Sequence, residues 1–121
     1  MKYIIDLIED VREQIGNQED FILTAMLLKE NPEDSEKLTY AGESPLNLFH
    51  LDEVAKELIF KIDGSQARLT VGELIPPLLI LDMDAMMYAL RMDVNVQYSD
   101  VEVVGFGKSI EEKKYILFIK I

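Results

Sequence analysis

Five consecutive apolar residues, Tyr115-Ile116-Leu117-Phe118-Ile119, constrain this chain more than any other stretch. Their β-branched and aromatic character reads as a strand, and a strand sends successive side chains to opposite faces. Tyr115, Leu117 and Ile119 then point one way, Ile116 and Phe118 the other. Both faces need cover. The strand therefore belongs either inside a sheet or at a homodimer interface, with only Lys114 and Lys120 as charged gatekeepers at its ends. Tyr115, Leu117 and Ile119 are the candidate dimer or sheet-edge strand.

The rest of the chain supplies elements to pack with it. Residues 2–16 read as an amphipathic helix, because Ile4, Leu7, Ile8, Val11 and Ile15 recur at three-and-four spacing while the charged side chains fall elsewhere. Gly16-Asn17 supplies the stop. Residues 21–28 are apolar at seven of eight positions and read as a strand. The turn cluster 31–35 and the β-prone Leu38-Thr39-Tyr40 complete a first hairpin. Residues 50–57 read as a short helix with Leu51, Val54, Ala55 and Leu58 on one side. Leu58–Ile62 and Ala67–Val71 flank Asp63-Gly64-Ser65, a hairpin signal. The competing reading extends the helix to Lys61, with Gly64 as its stop.

Thr70-Val71-Gly72-Glu73 matches a capping box, and Pro76-Pro77 predicts one turn, a break and a second start. From Leu78 to Met92 the chain is apolar nearly all round, which predicts a buried central helix in which Met83, Met86, Met87 and Met92 fill the core. Residues 94–98 and 101–106 read as strands, joined to the last one through 107–114. The expected fold is a single α+β domain over 1–121. It combines a small antiparallel sheet built from hairpins, a central helix (about 78–92) and an N-terminal helix (about 2–16).

Composition narrows the function classes. The chain has 121 residues, 23 acidic and 12 basic, with net charge −11. Residues 1–60 carry 14 acidic and 5 basic side chains, net −9, against 9 and 7, net −2, in the remainder. That field opposes nucleic acid, since the lysines Lys108, Lys113, Lys114 and Lys120 are interleaved with Glu111 and Glu112. No cysteine is present, and no apolar run is long enough for a membrane span. The expected location is cytoplasmic, with no membrane partner.

Three motifs suggest chemistry. Gly105-Phe106-Gly107-Lys108-Ser109 resembles part of a phosphate-binding loop, but the position that needs the first glycine is Glu102, so the glycines read as relaxing a hairpin. Asp82-Met83-Asp84 is an acidic pair whose carboxylates diverge on a helix, which favours a cap over a cation site. His50 is the sole histidine and no nucleophile motif accompanies it. No cofactor, metal site or catalytic residue is assigned. The leading expectation is a non-catalytic interaction or regulatory domain. It binds a protein partner through an acidic face (Asp6, Glu9, Asp10, Glu13) or a sheet edge. The alternatives are a small enzyme or ligand-binding domain with a pocket formed by His50, Asp82 and Asp84 beside the central helix, and an acidic mimic of nucleic acid.

Overall fold

The computed structural model describes residues 1–16, 18–93 and 101–120. Helix α1 (Ile4–Gln14) is followed by strands β1 (Ile22–Asn31), β2 (Asp34–Pro45), β3 (Leu48–Asp52) and β4 (Glu57–Lys61). Helix α2 (Val71–Leu79), a 3-10 turn (Ala85–Met87) and strands β5 (Ala89–Asp93), β6 (Val101–Ser109) and β7 (Lys114–Lys120) complete the chain. The α+β class is as expected. The small antiparallel sheet is not. The seven strands form one mixed sheet in the order β2-β1-β7-β6-β5-β4-β3, with β1 parallel to β7 and β4 parallel to β5.

Helix α1 uses the apolar stripe read from the sequence: Ile4, Leu7, Ile8, Val11 and Ile15 are all buried. Gly16 ends it at φ 61, with its N–H donating to the Val11 carbonyl at 3.1 Å. Asn17, and the strand expected over 94–98, lie outside the described residues. One cluster joins this stripe to Val71, Leu74 and Leu78 of α2 and to one face of the sheet, where Leu23, Leu58, Phe60, Leu90 and Met92 point. β7 lies between β1 and β6, and Tyr115, Leu117 and Ile119 are fully buried in that cluster. Of the two ways to cover this strand, the fold uses the interior of the sheet, so these three side chains form neither an edge nor a dimer surface.

The central helix over 78–92 is absent. α2 stops at Leu79, and the Asp82 carboxylate then accepts the Ala85 N–H at 2.9 Å to start the 3-10 turn. The segment is apolar all round because it serves two elements. Leu78 lies in the last turn of a helix, and Leu90 and Met92 lie on the inner face of β5. The linker between them is only partly covered, with Ala85 buried and Leu81, Met86 and Tyr88 half-buried against the cluster. Met83 is 84% and Met87 57% exposed, so they do not fill the core. Met86 is partly buried and Met92 fully buried.

The prolines do not break α2 either. They remove helical N–H groups late in a nine-residue helix, so only bonds to the carbonyls of its first turn are forgone. The capping box stands as read: Glu73 N–H donates to Thr70 Oγ1 at 3.3 Å, and Thr70 N–H donates to Glu73 Oε1 at 3.2 Å.

Residues 50–57 are not a helix. They are the end of β3, a turn and the start of β4, with the Asp52 carboxylate taking the N–H groups of Val54 and Ala55 at 3.0 and 2.9 Å. Leu51 and Leu58 are cross-strand partners, which imitates helical spacing. Nor do 58–62 and 67–71 form a hairpin. Gly64 turns the chain at φ 78, but Asn47 then holds the following loop, donating to the Ala67 carbonyl at 2.6 Å, and β4 takes β5 as its second neighbour.

Candidate functional site: an acidic groove between helix α1 and strand β6

Asp6, Glu9, Asp10 and Glu13 stand at i, i+3, i+4 and i+7, which places four carboxylates on one stripe of α1 opposite the buried one. Like charges at these spacings each cost the helix about 0.2–0.5 kcal/mol, so the stripe works against the helix's own local stability. With Lys2 and Phe106 they line a shallow groove of about 190 Å³.

Two of the four carboxylates also hold the helix in place. Asp6 Oδ2 accepts the Tyr3 N–H at 2.8 Å, and Asp10 Oδ2 accepts the Tyr115 hydroxyl at 2.6 Å. Burial first, then that bond, pushes the Tyr115 hydroxyl above the usual tyrosine range, so it stays a donor. Tyr115→Phe is expected to cost about 1.5 kcal/mol, the usual size for a hydrogen bond to a charged group. Urea unfolding measures it, and a loss indistinguishable from zero would show that α1 docks by its apolar stripe alone. Glu9 and Glu13 are exposed and make no hydrogen bond or ion pair among the described residues.

The floor is aromatic. Phe106 is paired with Leu117 across β6 and β7, and its ring centroid lies 6.1 Å from that of Tyr115. Above it sits the Lys2 ammonium, 5.8 Å from the ring centroid. Lys2 is placed there by backbone, because its carbonyl accepts the Leu90 N–H at 2.9 Å at the start of β5. The groove can therefore attract and orient a cation. Its lining offers no hydroxyl or imidazole.

Sequence reading identified the carboxylates but missed Phe106 and Lys2. The glycines flanking Phe106 were the available signal. They lie in mid-strand within the β6–β7 hairpin, beside a register shift between Val103 and Gly105, and a Cβ at Gly107 would sit 2.9 Å from the Phe118 ring on the opposite face. Strand alternation puts Phe106 on the other face, with Leu117 and toward α1. Lys108 donates to the Gln14 carbonyl at 3.0 Å, at the negative end of the α1 dipole.

The other candidates are scattered. His50 is exposed on β3, whereas Asp82 and Asp84 lie in the turn before β5. The cavity that takes in Asp84 is lined by Lys56, Met87 and Tyr88 and does not include His50. The pocket beside a central helix is thus removed together with that helix. Among the described residues, no three acidic or histidine side chains come together to hold a metal ion.

The remaining C-terminal lysines make ion pairs: Lys113 with Asp20 at 2.8 Å, Lys114 with Glu112 at 2.7 Å and with Glu43, and Lys120 with Glu30 at 2.6 Å. Glu112 first, then Glu43, holds the Lys114 ammonium above the usual lysine range. No helix among the described residues is long and apolar enough to cross a membrane. Compared with protein-family models, curated proteins and solved structures, the chain matches none.

Proposed function

We propose that this chain is a non-catalytic interaction domain that binds a basic segment of a partner protein in the α1–β6 groove, setting a lysine or arginine side chain over Phe106. The observation that carries this reading is the position of Lys2. Its ammonium lies 5.8 Å from the Phe106 ring centroid, within cation–π range and in a groove lined by the four carboxylates, so a cationic side chain fits there and a partner's would take the place that Lys2 holds.

The net charge of −11 adds long-range steering toward a basic partner. The sheet edges support the reading less well. β2 carries Lys37, Glu43 and Pro45, and β3 is only five residues long, both of which blunt edge pairing. Mimicry of nucleic acid is also less well supported, since a stripe from Asp6 to Glu13 covers only about two helical turns, or roughly 10 Å. The absence of cysteine suits a reducing compartment such as the cytoplasm.

Calorimetric titration with an arginine-rich, otherwise polar peptide tests the proposal. Binding is expected to weaken steeply with salt and to fall about tenfold in Phe106→Leu and in Glu9→Gln/Glu13→Gln, near 1.4 kcal/mol each. Affinity that both variants leave unchanged would sink the assignment.

A further inference from the structure

The connection from α2 to β5 exposes more apolar side chain than a free surface needs. Leu79 is 50%, Ile80 86%, Met83 84% and Met87 57% exposed. The β3–β4 turn lies at the same end of the molecule. The Lys56 carbonyl accepts the Ala89 N–H at 3.2 Å, and Lys56 together with Asp84, Met87 and Tyr88 walls a shallow cavity of about 440 Å³. That turn presents Val54, 95% exposed. Scattered surface hydrophobics are ordinary, but two short segments that converge on one end and each offer an apolar tip form a patch. Two of its members are methionines, whose unbranched, polarizable side chains adapt to a partner's shape.

Charge selects the occupant. Glu53, Asp82 and Asp84 are exposed around the patch, against Lys56 and, beside Leu79 at its far end, Arg12. A second copy would bring one acidic rim against another in a chain already at −11, and an anionic lipid surface would meet the same repulsion. A segment with an apolar stripe flanked by lysine or arginine meets both the centre and the rim. We propose that this patch is a second docking surface, separate from the α1–β6 groove, and that it takes an amphipathic, basic-flanked helix of another protein, with Ile80 and Met83 as its anchors.

The probe is a synthetic helical peptide of leucine and lysine, about 14 residues long so that it can form a helix on binding. Binding is followed through the methyl resonances of Met83 and Met87 in the full chain. The peptide is expected to shift both signals saturably, and Ile80→Ser/Met83→Ser should weaken that binding about tenfold or more, as loss of central apolar anchors does. Asp84→Asn should weaken it less. Glu9→Gln/Glu13→Gln should leave it unchanged, which separates this surface from the groove. Because the substituted side chains are exposed, the variants should keep the wild-type melting temperature, and Asp84→Asn stands as the readout if the double variant does not fold.

Three results would overturn the proposal. The first is equal binding, at the same methyls, by a control peptide with serine in place of leucine. The second is adsorption to phosphatidylcholine–phosphatidylglycerol vesicles that is lost in Ile80→Ser/Met83→Ser, which would assign the patch to lipid. The third is self-association that is lost in that variant, which would assign it to a second copy.

Discussion

Leu90→Asp is expected to abolish cooperative unfolding, while Met83→Asp, seven positions earlier, leaves the melting temperature within a few degrees of wild type. Leu90 is fully buried on the inner face of β5, among the cluster that joins both helices to the sheet. An unpaired carboxylate there costs roughly 3–5 kcal/mol, a large share of the 5–15 kcal/mol that holds a domain of this size together. Met83 is 84% exposed, so its carboxylate replacement stays in water. On a continuous helix over 78–92 both residues would face packed neighbours and both substitutions would be severe. Circular dichroism melts of the two variants separate the architectures, and comparable damage from both would restore the helix.

Gly72→Ala should destabilise the fold by about 2 kcal/mol, even though alanine is the better helix former. Gly72 opens α2 against the segment that leads into β1, and its N–H donates to the Glu19 carbonyl at 3.0 Å. A Cβ there would lie 2.8 Å from Glu19 Cβ and 3.1 Å from its carbonyl oxygen. The atoms in the way belong to the main chain or are fixed to it, so relief requires moving the backbone. That movement would strain the neighbouring bond from Val71 N–H to the Phe21 carbonyl, 2.9 Å long. The propensity gain is at most about 1 kcal/mol and smaller in a first turn, so the clash wins. A thermal melt should show a fall of several degrees. An unchanged or raised melting temperature would mean that the close approach is not maintained in solution.

What was legible in the sequence was local. The α1 stripe could be read because five apolar side chains repeat with the helical period and nothing else at that end of the chain competes. The Thr70–Glu73 box could be read because both partners lie within one turn. The errors came where contacts between distant residues produced the pattern. Leu51 and Leu58 share a side because they face each other across a hairpin, although their spacing fits a helix equally well. Leu78 to Met92 looks like one buried helix because the inner faces of α2 and β5 follow closely in sequence, separated by a linker that buries Ala85 and half-buries Leu81, Met86 and Tyr88 while exposing Ile80, Met83 and Met87. The parallel pairs could not be read at all, since nothing in β1 announces β7.

The site divides in the same way. Four carboxylates at helical spacing were visible in the sequence, whereas the aromatic floor beneath them depends on which strand the sheet brings under α1.

The position of β7 also bears on how the chain reaches its native state. Ala25 pairs with Leu117, 92 positions later, and the β1–β2 hairpin joins the rest of the sheet only through β7. Until that strand inserts, β1 lacks its inner neighbour, and β6 is held to β5 among the described residues only by the pairs Arg91–Glu102 and Met92–Val101. The most distant strand pairs are thus also the ones that make the sheet continuous. Their loop-closure entropy must be met before the inner face of β1 gains its cover, which is the condition for slow folding through partly assembled species with exposed strand edges.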